Sequence, residues 1–404
     1  MKNWLQLTKR LGLFYMSIGI AYVALTASLF AVENDQYPIW GLQLKDSGSI
    51  INEYFTKEFN KVITHENRGL IKHSCNAMVF RIGWHFVKGP LKKTDMWADS
   101  NPLIDKFPLL RQDMDKDGIY RDIPKKRFSG RSISVNGINI GVDKLSHAFV
   151  VGYFYWIRYR LALKKYLRHH PLAKAEKMAI DIAIRDIGIG METKLSAMVG
   201  YSDLEANFQG FLIYKNLCEG TTPTLKFTRT KKWMLTKQID FKKTVTPYYN
   251  EIFYPNFHKL TEWKLIEHYL NEYCTRGQEP NKIMELKRYK KIAEGLSPSY
   301  SLSYINTLID KGILPDPKPQ RLDNYCASQG IDTFLSLYPK PNLQLRPPSS
   351  FEIKKDEDTN DDEFILKQEL KSMYDNQVLN LSSNHNHDYP KHLENAFREQ
   401  DEEN

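Results

Sequence analysis

Cysteine is scarce in this chain and is not arranged as a metal-binding or redox motif. Its four cysteines, Cys75, Cys218, Cys274 and Cys326, are far apart and form no C-x-x-C pair. That spacing excludes a zinc ribbon and a thioredoxin-like motif. One or two disulfides formed in an oxidising compartment and buried free thiols are two equal alternatives. The sequence does not determine which cysteines pair.

Several common catalytic signatures are also missing. The sequence contains no G-x-S-x-G, H-E-x-x-H, Walker loop or G-x-G-x-x-G, which excludes the common hydrolase, metalloprotease and nucleotide-binding classes. It has no internal repeat, and no zinc-finger or RNP motif that would favour nucleic acid as a partner.

The first 31 residues have the pattern of an export signal. Lys2, Lys9 and Arg10 precede an uncharged apolar stretch at 11–31. A basic segment followed by an apolar run is typical of a signal peptide, and this run is also long enough to be an uncleaved membrane anchor. We therefore expect an exported protein, periplasmic or at the cell envelope, with membrane association through residues 11–31 as the alternative to cleavage.

Charge is distributed unevenly along the 404 residues. The net charge is +9, yet residues 351–404 contain 15 acidic and 6 basic residues, which leaves the preceding part strongly basic. Such a basic body favours an anionic membrane surface, an acidic ligand or the chain's own acidic tail. We expect the tail to be mostly disordered.

Apolar periodicity predicts a mainly α fold. We expect a multi-helix soluble body with a small β hairpin and a minor aromatic-rich β or loop region. Residues 32–220 are predicted to form a helical core that includes a hairpin at 131–141. Residues 221–350 are predicted to form an aromatic-rich and helical C-terminal part. Asn136-Gly137 is the hairpin turn, because both residues tolerate a positive φ.

One polar pattern follows the hairpin. Asp143 and His147 are four residues apart on a predicted helix, and Asp203 and Asn207 repeat this spacing on a later helix. Glu192 lies between them in the chain. If the helices pack together, these five side chains could bind a divalent metal or act as an acid and a base.

This order of residues, D-K-x-x-H, a later Glu and D-x-x-x-N-x-x-G, resembles the signature of VanZ-like proteins and of YfiM-type envelope lipoproteins of unknown function. The similarity covers about residues 141–214. It implies a small helical module at the bacterial envelope and supplies no catalytic mechanism. The charged residues at 158–185 fit the soluble YfiM type better than the membrane-spanning VanZ type.

The same residues also have a structural interpretation. Asp143 can cap its helix, and Ser202 with Glu205 forms the pattern of a capping box for a helix that starts at Asp203. His147 would then be a hydrogen-bonded core histidine, and Asn207 a bridge between helices.

Asp113, Asp115 and Asp117, followed by Gly118, resemble the beginning of an EF-hand calcium loop. Ile119 is at position 7 of such a loop, where the backbone carbonyl would be the ligand. The bidentate Glu expected at the end of the loop is absent, because Pro124 is at that position. The sequence therefore indicates either a weak structural calcium site or a solvated acidic turn.

The aromatic-rich segment 246–256 contains Glu251. Its rings could line a groove for sugar, wall polymer or lipid, with Glu251 as an acid, but no carboxylate partner is identifiable. Packing in the core is the alternative.

Two functions follow. The first is a noncatalytic envelope module that binds lipid, cell wall or protein. The second is a metal-assisted or acid/base envelope hydrolase that uses Asp143, His147, Glu192 and Asp203, with Asn207 orienting the substrate or a ligand. The sequence leaves open whether the chain is an enzyme.

Overall fold

The computed structural model describes residues 33–34, 36–68, 74–88, 93–107, 118–120, 128–190, 198–220 and 222–338. The described part of the chain is mainly α, as predicted. Its helices are α1 Gly48–Glu66, α2 Cys75–Val87, α3 Lys93–Ser100, α4 at 143–166, α5 Leu172–Ala183, α6 Tyr201–Cys218, α7 Leu260–Arg276, α8 Pro280–Glu294, α9 Tyr300–Asp310 and α10 Leu322–Ser328. Single 3₁₀ turns lie at Tyr37–Ile39, Lys242–Thr244, Pro247–Tyr249, Lys318–Gln320 and Asp332–Phe334.

The strands are short, with two to four residues each. They are β1 Glu33–Asn34, β2 Lys106–Phe107, β3 Phe128–Gly130, β4 Ser132–Val135, β5 Ile138–Gly141, β6 Met198–Val199, β7 Leu225–Phe227, β8 Trp233–Leu235 and β9 Phe257–His258. The predicted hairpin is β4–β5, and β2 pairs with its outer edge. Asn136 and Gly137 have φ values of 56° and 72°, as their turn requires.

Helix α4 is the centre of the body. Its residues 143–157 are buried except for the half-buried Ser146, which agrees with the nearly continuous apolar sequence. A π-helical segment, His147–Val151, interrupts it directly after its first turn. One extra residue in a turn rotates the side chains that follow, and such segments often occur at functional sites.

Helix α6 lies beside α4 and runs in the same direction. Asp143 of α4 is close to Asp203 of α6, and further along the pair the Tyr214 hydroxyl donates to the Phe149 carbonyl at 2.7 Å. The N-termini of both helices therefore meet at one end of the pair.

Two disulfides connect distant helices. Cys75 at the start of α2 pairs with Cys218 at the end of α6, and Cys274 of α7 pairs with Cys326 of α10. These bonds decide the pairing that the sequence leaves open, and none of the four cysteines is free.

One hydrophobic core includes residues from both predicted parts of the body, on either side of position 220. Among the described residues, no helix is long and apolar enough to cross a membrane. The predicted signal or anchor at 1–31 and the acidic tail at 351–404 lie outside the described residues.

Candidate functional site

The close approach of α4 and α6 depends on two glycines. A Cβ at Gly210 would collide with the Ala148 backbone, and one at Gly152 would lie 2.7 Å from the Gly210 carbonyl carbon and the Phe211 nitrogen. Only residues without a side chain allow this crossing. The glycine of the D-x-x-x-N-x-x-G motif therefore has a packing role: it brings Asn207, one turn earlier, against α4.

His147 contacts both polar residues of the α6 motif. Its Nδ1 is 3.0 Å from Asn207 Oδ1, and its Nε2 is 3.4 Å from Asp203 Oδ1. The imidazole can donate to both oxygens only when both of its nitrogens carry a proton. Three of the residues predicted from their spacing, His147, Asp203 and Asn207, therefore meet in space.

The centre of the cluster is the ammonium of Lys144. Its Nζ lies 2.8 Å from Asp143 Oδ2, 2.6 Å from Asp203 Oδ1 and 2.6 Å from Glu251 Oε1. Three carboxylates from three separate segments therefore surround one cation. We call Asp143, Lys144, His147, Asp203, Asn207 and Glu251 the ionic cluster.

Every member of the ionic cluster is buried, and the most exposed, His147, is 7% accessible. Charges removed from water in this way are stable only when they are paired. Pairing is incomplete: among the described residues, Asp143 Oδ1, Asp203 Oδ2 and Glu251 Oε2 have no hydrogen-bond partner.

The environment moves the pKa values of two carboxyls in opposite directions. Burial alone would raise the pKa of Asp203, but the charges of His147 and Lys144 outweigh it and lower that pKa. Burial raises the pKa of Glu251 to about 8, Asp143 and Asp203 add repulsion, and Lys144 opposes them only partly. The cluster therefore favours the ionised form of Asp203 and disfavours that of Glu251.

Asp95 of α3 supports the start of α4. Its Oδ1 accepts hydrogen bonds from the Ser146 backbone N–H at 3.2 Å and from the Ser146 hydroxyl at 2.6 Å. Burial raises the pKa of Asp95 well above its usual range, and the nearby Asp143 raises it further.

Both capping predictions are wrong. The N-cap of α4 is Val142, so Asp143 is the first helical residue and does not cap; Asp95 from another helix satisfies an N–H of the first turn instead. The N-cap of α6 is Gly200, and Glu205 binds Ser299 and Gln209 rather than closing a capping box. Tertiary partners compete with local caps for these side chains.

Most of the other residues that were predicted to bind a metal or substrate are not among the described residues. Glu192, Asp113, Asp115 and Asp117 lie outside the described residues, so the part of Glu192 in the motif and the calcium loop stay predictions. Ile119, the predicted carbonyl ligand, is described and buried.

Three features of this region were not predicted from the sequence. They are the central position of Lys144, the contact of Asp95 with the start of α4, and the contact of Glu251 with the motif. Lys144 carried a usable signal. A lysine on a helix that is apolar nearly all round must be buried, and a buried lysine requires carboxylates. Asp95 and Glu251 carried no local signal, because their partners are distant in sequence.

A metal and Lys144 compete for the same oxygens. Asp143, His147 and Asp203 each offer a ligand atom, and these atoms lie within 4.8 Å of one another. The donor set, two carboxylates and an imidazole, suits a divalent transition metal. Lys144 Nζ, however, contacts Asp143 and Asp203 directly, so it already supplies the positive charge that a metal would bring.

Comparison of this chain with protein-family models, with curated proteins and with solved structures finds no match. Fold and site therefore define only a class: a disulfide-linked, mainly α protein with a buried ionic cluster between two parallel helices.

Proposed function

We propose that this chain is an exported envelope protein whose helical body is a noncatalytic binding or structural module. The observation that supports this proposal is that the fully buried ammonium of Lys144 contacts Asp143, Asp203 and Glu251. A cluster arranged in this way joins three segments without needing a ligand. Two disulfides support an oxidising compartment, because such bonds persist outside the cytosol.

Export and module function are tested separately. For export, protein recovered from the envelope fraction of cells is treated with a thiol-alkylating reagent before and after reduction. We expect all four cysteines to react only after reduction. Cytosolic recovery with four reactive thiols would exclude export.

For module function, His147→Gln and Asp203→Asn are compared with wild type for thermal stability and for recovery with the envelope fraction. As parts of a structural cluster, both should lower stability while any protein that stays folded still associates with the envelope. Folded variants that no longer associate would contradict a purely structural role for the cluster.

The second candidate is an acid/base hydrolase that uses Asp143, His147, Glu192 and Asp203, with Asn207 orienting the substrate. The opposite pKa shifts of Asp203 and Glu251 favour it, since pairs of groups with separated pKa values often serve as base and acid. Hydrolysis of envelope esters, amides or glycosides that is lost in folded His147→Gln and Asp203→Asn would establish this function and exclude the module.

We also propose two alternative metal sites, one in the ionic cluster and one in the acidic loop that begins at Asp113. A divalent metal at Asp143, His147 and Asp203 would have to displace Lys144. Metal analysis of wild type, His147→Ala and Lys144→Ala tests this: a metal present in wild type and lost in His147→Ala supports the site. A structural Ca²⁺ at Asp113, Asp115, Asp117 and Ile119 would instead appear as calcium-dependent melting that Asp115→Ala abolishes.

A further inference from the structure

The β7–β8 hairpin carries a dense positive charge. Residues 220–239 include five cations and no acidic residue. All five are exposed, and none forms a salt bridge with a carboxylate in the part of the chain that the structure describes. These cations are Lys226, Arg229, Lys231, Lys232 and Lys237.

The two faces of the hairpin differ. In the register Phe227 pairs with Trp233, and their ring centroids are 5.1 Å apart on the inner face. Lys226 pairs with Met234 on the outer face, where Met234 is 47% exposed. Because side chains alternate along a strand, Lys232 shares the outer face with Met234. The outer face thus combines cations with one apolar side chain.

The hairpin is anchored to the end of α1 at the strand pair next to its turn. The Asn67 side chain, just after α1, accepts from the Trp233 N–H and donates to the Trp233 carbonyl, both at 2.8 Å. At the tip, the Thr228 N–H donates to the Lys232 carbonyl at 2.8 Å. The cations of the tip therefore project from a defined turn.

Lys231 has a φ of 57°, in the left-handed region that glycine or asparagine adopts more easily. A lysine at this position puts an exposed cation in the turn in spite of its conformational cost. Strained residues of this kind often mark functional positions.

We propose that the β7–β8 hairpin docks on an anionic phospholipid surface, with its tip cations at the headgroups and Met234 at the apolar boundary. Lysine and arginine beside an anionic bilayer each strengthen binding about fivefold, which makes charge the main source of affinity. The inference rests on the proposed function in one respect: the body must face the envelope.

The test is cosedimentation of the full chain with vesicles of phosphatidylcholine, with or without an equal part of phosphatidylglycerol. The test variant combines Arg229→Gln, Lys231→Gln and Lys232→Gln. A matched control removes three exposed cations elsewhere through Lys287→Gln, Lys291→Gln and Lys311→Gln. Residues 1–31 are the same in all three proteins, so differences between them report the replaced side chains.

Wild type should prefer anionic vesicles, the hairpin variant should lose about 100-fold of that preference, and the control should keep most of it. Lys231→Gly is a second variant that should bind about fivefold more weakly although its turn is relaxed, which separates binding from misfolding. Equal loss in control and hairpin variant would overturn the assignment to this hairpin.

Equal partitioning of wild type into neutral and anionic vesicles would overturn the lipid proposal and leave an exported module standing. Binding of soluble polyglutamate without vesicle binding would identify an acidic polypeptide as the occupant instead. Recovery of the chain from the cytosol would refute the proposed function, whatever the vesicles show.

Discussion

Lys144 and Glu251 are 107 residues apart in the chain and meet in the buried ionic cluster, with 2.6 Å between Lys144 Nζ and Glu251 Oε1. The pair joins the start of α4 to the aromatic segment 246–256. Two features that looked unrelated in the sequence therefore belong to one site.

Replacing Lys144 with methionine should destabilise the protein strongly. Three buried carboxylates would lose their common cation, and breaking a buried ion pair costs about 3–5 kcal/mol. Urea unfolding measures the change in the free energy of unfolding. Lys287→Met on the exposed side of α8 is the control and should change stability by about 0.5 kcal/mol or less. A similar small effect of Lys144→Met would contradict the central role of the ammonium.

Gly210→Ala should disturb the crossing of α4 and α6. The added Cβ would meet the Ala148 backbone, which cannot move aside as a flexible side chain could. We expect a loss of about 1–3 kcal/mol, as in other overpacked sites. Gly295→Ala is the matched control, because its Cβ would have neighbours no closer than 3.5 Å. Thermal melting of both variants is the measurement; equal melting temperatures would show that the helices do not need this glycine.

Glu205 should make stability depend on pH. Burial raises its pKa from the ordinary 4.5 to about 7, although Ser299 and Gln209 oppose the shift. The folded state therefore keeps a proton that the unfolded state releases above pH 4.5. This contribution to stability is fully present below pH 4.5 and is lost as the pH rises to about 7, a change of about 3 kcal/mol.

Glu205→Gln should remove that part of the decline. Unfolding free energies of wild type and variant are compared at intervals between these two pH values, because Glu251 and other buried acids titrate in both proteins. The free energy of unfolding of the variant should increase relative to that of wild type as the pH rises. Parallel curves would show that Glu205 has an ordinary pKa.

The disulfide between Cys75 and Cys218 should contribute more to stability than the one between Cys274 and Cys326. The first closes a loop of 143 residues and the second a loop of 52. Chain-entropy arguments give about 5 and about 4 kcal/mol for these loops. Double serine variants of each pair, melted under non-reducing conditions, measure the two effects. Non-reducing peptide mapping checks the pairing, and a Cys75–Cys274 or Cys75–Cys326 peptide would contradict it.

Local sequence signals determined much of the secondary structure. Apolar periodicity predicted a mainly α body, and Asn136-Gly137 predicted the β4–β5 hairpin. The spacing of Asp143 and His147, and of Asp203 and Asn207, also predicted which side chains share a helix face. These predictions hold because helix periodicity and turn conformation depend on neighbouring residues.

Only the tertiary structure decided the rest. The disulfide pairing, the positions of Asp95 and Glu251, and the place of Lys144 among three carboxylates depend on contacts between segments far apart in the chain. Capping failed as a prediction for the same reason, since Asp95 from α3 and Ser299 before α9 bind groups that the local pattern assigned elsewhere. A buried charge selects its partners by three-dimensional proximity, because the cost of leaving it unpaired exceeds any local preference of the chain.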